Sequence, residues 1–231
     1  MERRVEERVR RRPKAWLSWS SGKDSAWALH AIRLRQELDV VALLTTISAP
    51  FARVAMHAVR ESLLDAQAHA VGLPLVKVLL PNPCPNETYE KAMADAMVRA
   101  RAEGITRVVF GDLFLQDIRQ YREEKLTPGG MTPVFPLWGI DTAALARAMV
   151  DSGLRAYLTC VDPKKLDASF AGRVFDAGLL ADLPAGVDPC GEHGEFHSFA
   201  FAGPMFHAPL SAKVGEVVER EGFIFADVLP G

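Results

Sequence analysis

Two short stretches of the chain hold the residue types that do chemistry. The first is Ser20-Ser21-Gly22-Lys23-Asp24-Ser25, between an apolar run and a helical stretch. Small residues let a backbone come close to an anion, and the N–H groups of a loop that opens a helix point at it. Lys23 adds a mobile positive charge, and the hydroxyls of Ser20, Ser21 and Ser25 can donate. The loop is not a Walker A motif. Leu17 stands where its first glycine belongs, and Asp24 where its metal-binding hydroxyl belongs. The plainer alternative is a serine–glycine turn that caps a helix.

The second stretch is Asp188-Pro189-Cys190-Gly191-Glu192-His193-Gly194-Glu195-Phe196-His197. Three carboxylates, two histidines and a thiol fall within it, which is more than a turn requires. Its residue types allow three chemistries. Cys190, His193 and His197 could ligate zinc, although a structural zinc site wants a fourth ligand at a paired spacing. Cys190 could be a nucleophile paired with His197. Glu192, Glu195 and His197 could bind or deprotonate an amine.

Apolar runs and helical periods alternate through the elements that would carry these residues. Strands are expected over residues 15–19, 40–44, 74–80 and 106–110. Helices are expected over 26–37, from 55 to 70 with Gly72 as its cap, over 89–100 closed by Gly104, and over 117–126. Strands apolar on both faces and separated by helices imply a doubly wound parallel α/β sheet, with ligands at the carboxyl ends of the strands. Residues 20–25, Thr45-Thr46 and Gly111-Asp112 would lie there. Thr127-Pro128-Gly129-Gly130 is a breaker cluster. The pattern changes beyond it, with a helix expected to 150, a strand over 154–161, a short helix over 168–177, and strands over 195–202 and 222–228. The expected organisation is a charged flexible arm (1–14), a nucleotide-type domain (15–128) and a smaller α+β substrate domain (129–231).

The 231 residues carry a formal net charge of −2, which gives no electrostatic case for wrapping a nucleic acid. Residues 1–14 hold seven Lys/Arg and three Glu, read as a solvated arm. Three cysteines, Cys84, Cys160 and Cys190, without a C-x-x-C pair imply a reducing, cytoplasmic setting rather than a disulfide framework. No apolar run is long enough to span a membrane.

The serine-rich loop resembles the S-G-G-x-D-S loop of the PP-loop ATP pyrophosphatases, with Ser21 in place of the first glycine. Taken with Met56-His57, the Gly111-Asp112 strand end and the D-P-C-G-E-x-G-E-F-H stretch, the chain resembles the diphthine–ammonia ligase family across residues 15–206. That family has the adenine nucleotide α-hydrolase (HUP-like) fold. The resemblance implies an ATP- and Mg²⁺-dependent ligase: a substrate carboxylate is adenylated, pyrophosphate leaves, and ammonia displaces AMP. The family's acceptor is a modified protein side chain, diphthine.

By resemblance, residues 20–25, Thr46, His57, Gly111 and Asp112 would hold the nucleotide. Lys23 would neutralise the leaving pyrophosphate, and Asp24 would orient Mg²⁺ or cap the helix. Glu192, Glu195 and His197 would line the acceptor or ammonia site, with Asp188, Arg119, Arg122 and Glu123 on the substrate surface and Cys190 structural. His193 stands where the family has asparagine, and residues 115–124 match its S-x-Y-Q stretch only loosely. Two other classes compete. A PP-loop tRNA-modifying enzyme would want a basic groove. A nucleotide-sensing module would bind without turnover. A homodimer is a general expectation for such an enzyme.

Overall fold

The structure, a computed structural model of the chain, describes residues 12–54 and 59–231. His57 and most of the charged arm therefore lie outside the described residues. Lys14, placed in the arm by its charge, already belongs to the first strand.

The first sheet is built from β1 (Lys14–Ser18), β2 (Asp39–Ser48), β3 (Arg53–Val54), β4 (Leu75–Leu80), β5 (Arg107–Val109) and β6 (Thr132–Val134). Its parallel strands run in the order β4-β2-β1-β5-β6. Helices α1 (Lys23–Arg35), α2 (Glu61–Val71), α3 (Asn86–Ala102) and α4 (Gln116–Leu126) connect them. Alternation in β1 explains why the strands are apolar on both faces. Ala15 and Leu17 point into one core with Leu29 and Leu64, while Trp16 points into another with Val76, Val108 and Met131. On the second face, a cavity of about 540 Å³ opens between α3 and α4, floored by Leu44, Val108 and Phe110.

The second sheet is antiparallel, in the order β8-β7-β10-β9, from β7 (Arg155–Val161), β8 (Phe196–Ala202), β9 (Ala212–Arg220) and β10 (Phe223–Pro230). Helices α5 (Thr142–Asp151) and α6 (Ala177–Asp182) accompany it. The expected mixed α/β architecture is thus present, a mostly parallel sheet followed by a separate antiparallel one. The two share a core: Phe196, Phe199, Leu145 and Val228 belong to the same buried cluster as Leu17, Leu29 and Leu64.

Several elements depart from the sequence expectation for local reasons. β2 runs four residues further, through Thr45 and Thr46, so that Ile47 and Ser48 pair with β3 beyond the end of β1. The second helix starts only at Glu61, because Arg60 is extended (ψ 140°). The helix expected over 168–177 is instead a single 3-10 turn, Ala168–Phe170, followed by α6. Gly172 lies between them at φ 81°, and Val174 bridges Tyr157 of β7. β9 is an edge strand of largely exposed residues, so it carries no apolar alternation to read.

Because the core is shared, damage in one sheet must reach the other. Phe199→Ala, deep in the second sheet, should cost about 3–5 kcal/mol. All four tryptophans lie at or before position 138, in or near the first sheet. The denaturation midpoint read by tryptophan fluorescence should therefore fall; an unchanged midpoint would mean that the sheets unfold separately.

Candidate functional site

The six-residue loop joins β1 to α1 at the carboxyl end of the first sheet. Gly22 is the N-cap of α1 and brings no side chain to cap it; Ser198 Oγ takes the Lys23 N–H, and the next N–H groups of the first turn keep the orientation that attracts an anion. Ser25 Oγ donates to the Gly22 carbonyl (3.0 Å) and lies 3.2 Å from Ser20 Oγ, which ties the two ends of the loop together. Gly111, after β5, passes so close that a Cβ there would lie 2.8 Å from the Asp24 carbonyl carbon, so only glycine fits. Thr46 lies beyond Leu44, which pairs with Ser18, so it too stands past the end of β1.

Ser21 is fully buried at φ 69°, a conformation costly for a residue with a Cβ. Surrounding bonds hold it there. Its carbonyl accepts from the Ala200 N–H (2.9 Å) of β8 and from Gln67 Nε2 (2.9 Å) of α2. Gln67 also donates to the Ala200 carbonyl (2.7 Å) and accepts from Trp19 Nε1 (2.8 Å). A buried glutamine with its donors and acceptor engaged thus joins the loop to both sheets. Sequence reasoning missed Gln67, which sits unmarked in an amphipathic helix.

Lys23 corrects the sequence reading most sharply. It is 2% exposed, so it is neither mobile nor solvent-facing. Its ammonium donates to Asp24 Oδ1 (2.9 Å), to Asp24 Oδ2 (2.8 Å) and, in a short contact, to the Cys190 carbonyl. The rings of Phe175 and Phe196 flank it at 5.6 and 5.3 Å. Burial is the largest influence and draws its pKa down, but the Asp24 carboxylate, Cys190 and Glu192 together draw it up further, and the balance lies above the ordinary lysine value. The Lys23 backbone N–H donates to Ser198 Oγ (3.2 Å), another residue that no motif signalled.

The acidic stretch folds as a loop leading into β8, against the phosphate-type loop. Gly191 stands at φ 70° with the Phe196 ring 3.0 Å from where its Cβ would be. Asp188 Oδ2 accepts from the Glu192 N–H (2.8 Å), and Glu195 Oε1 accepts from the Asp188 N–H (3.1 Å). Glu195 is buried, and its Oε2 has no hydrogen-bond partner among the described residues. Glu192 reaches across to the first sheet, where its Oε1 accepts from the Leu113 N–H (2.8 Å). Burial pushes its carboxyl up to about 7; that N–H and Lys23 oppose the shift, while Asp24 and Asp112 add to it. Burial, then the nearby Lys23 charge, hold His197 below the usual histidine value.

Other candidates are engaged elsewhere. Burial raises the Cys190 thiol strongly, and its sulfur donates to the Thr142 carbonyl (3.5 Å), which is the state of a structural cysteine rather than a nucleophile. His193 is exposed and its ring meets Phe114 edge-on at 5.0 Å. The zinc triad of Cys190, His193 and His197 therefore does not assemble, and no group of three or more potential ligands converges among the described residues. Arg122 is paired with Asp112 (3.0 Å for one bond) and stacks on Phe110. Arg119 binds Glu123 (2.8 Å) and lies between Phe135 and Trp138.

A helix that starts at the carboxyl end of a parallel sheet, with an acidic loop from a second sheet packed against its N-terminus, defines an α/β protein whose two halves meet at that point. The chain belongs to the diphthamide synthase family. The family's N-terminal domain matches residues 14–131 and its C-terminal domain matches residues 141–226. The diphthine–ammonia ligase of Danio rerio is 27% identical over 181 residues, which cover 71% of each chain.

Two predictions follow from this geometry. Ser21→Gly should relieve the left-handed strain, offset in part by unfolded-chain entropy, and raise stability by up to about 1 kcal/mol in a denaturant titration. The Glu192 pKa is higher in the folded chain than in the unfolded one, so the folded state binds the proton more tightly. Its contribution to stability therefore falls as pH rises from about 4.5 to about 7. Glu192→Gln should remove that part of the slope, and equal slopes in both proteins would refute the shift.

Proposed function

We propose that the protein is an ATP-dependent, AMP-forming ligase that amidates a substrate carboxylate with ammonia. The observation that carries the reading is the contact between the loop of residues 20–25 and the loop of residues 188–197, made by the Lys23 ammonium on the Cys190 carbonyl, with Ser198 just beyond the second loop holding the Lys23 N–H. One offers a helix N-terminus to a polyphosphate; the other brings three carboxylates and a neutral histidine toward it. Family membership and the name of the zebrafish relative support the same chemistry.

In this reading a carboxylate oxygen of the acceptor attacks the α-phosphorus, and the bond from that phosphorus to the α,β-bridging oxygen breaks. The departing pyrophosphate is held by the N–H groups at the start of α1 and the hydroxyl of Ser20, while Ser25 braces the loop. Mg²⁺ bound with the nucleotide would supply charge neutralisation, and Asp24 is the carboxylate that would orient its waters. Ammonia then attacks the acyl carbon, the acyl C–O bond breaks, and AMP leaves with the former carboxylate oxygen. Glu192, with a pKa near 7, takes the proton lost by the attacking nitrogen. Glu195 Oε2, buried and without a hydrogen-bond partner among the described residues, is an acceptor that a donor-only ligand such as ammonium would satisfy.

The test is product analysis with α-labelled ATP, Mg²⁺ and ammonium, with and without protein and small-molecule fractions from the source cell. The expected result is AMP formed in the presence of a fraction that contains the acceptor. Asp24→Ala should lower that rate by at least about 100-fold. ATP that binds but stays intact with every fraction would favour a sensing module instead.

A further inference from the structure

An ammonium has three N–H donors and no acceptor. Those of Lys23 face three oxygens, Asp24 Oδ1, Asp24 Oδ2 and the Cys190 carbonyl, with an aromatic ring on either side. None is left to ligate a phosphate, and the side chain is only 2% exposed. What the ammonium does hold is the backbone of the acidic loop. Cys190 lies two residues before Glu192, whose carboxylate reaches Leu113 at the end of β5. The backbone of the same lysine is fixed to Ser198 at the start of β8. One residue therefore ties the loop of residues 20–25 to both ends of the acidic stretch.

We propose that Lys23 is a positioning residue: it seats the 188–197 loop, and with it Glu192, in register with the phosphate-type loop, and it does not bind phosphate itself. This rests on the reading of residues 20–25 as a nucleotide loop. A nucleotide that settles on the helix N-terminus fixes Asp24 and Lys23, and through them the acidic loop. The loop that takes up the acceptor is thus ordered by the ligand that must react first.

The test combines binding of α,β-methylene ATP with Mg²⁺ and amide hydrogen exchange, on wild type, Lys23→Met and Phe175→Leu. In wild type the analogue should slow exchange in both 20–26 and 188–197. Lys23→Met should bind the analogue within about threefold of wild type, because no phosphate contact is lost. Its 188–197 amides should exchange at least about tenfold faster and gain no protection from the analogue. Phe175→Leu keeps the ammonium but opens its cage, and it should speed exchange in 188–197 by a smaller factor; it serves if Lys23→Met does not fold. An affinity loss of about 100-fold in Lys23→Met with unchanged 188–197 exchange would make Lys23 a phosphate ligand and overturn the proposal. Wild-type exchange rates in 188–197 for both variants would overturn it as well, while leaving the nucleotide reading intact. Failure of wild type to bind the analogue would overturn both.

Discussion

A lysine ammonium in a protein interior is a liability unless oxygens surround it. Removing it from water costs several kcal/mol, and stripping one partner from a buried ion pair costs about 3–5 kcal/mol. Lys23 meets that demand with the neighbouring carboxylate, a main-chain carbonyl and two ring faces. The carbonyl belongs to a residue 167 positions away. The electrostatic requirement of one side chain therefore becomes a constraint on how the two sheets are assembled. The acidic loop cannot drift from the helix N-terminus without leaving a charge unpaired.

The same junction is reinforced without charge. Gln67 makes one acceptor and two donor contacts, to Trp19, Ser21 and Ala200. These hold Ser21 in a conformation it would not choose. Local strain of this kind persists only where the surroundings over-determine it. Here the surroundings are β8 and α2, one from each half of the chain. The loop's shape is thus set by its neighbours more than by its own residues, which is how a serine stands at a position suited to glycine.

Much of this was legible in the sequence, and the rest was hidden for identifiable reasons. The βαβ alternation, the loop and the acidic stretch could be read because each rests on local pattern: runs apolar on both faces, small residues before a helix, a crowd of carboxylates. The burial of Lys23 could not be read, because it depends on Phe175 and the Cys190 carbonyl, distant in the chain. Gln67 and Ser198 carried no signal, since a polar residue in an amphipathic element looks the same whether it faces water or a partner. The pairing of Arg122 with Asp112 joins two residues both read as ligand contacts, and only geometry reveals that each already has a partner. The helix expected over 168–177 failed because apolar spacing was counted across Gly172, which turns the chain.

The common core of the two sheets also has a meaning for descent. Leu17, Leu29 and Phe199 belong to one buried cluster that both halves build, so neither half is a module that could be lent to another protein with its surface intact. A recombination breakpoint between residues 131 and 141, where the two matched regions part, would join mismatched interiors.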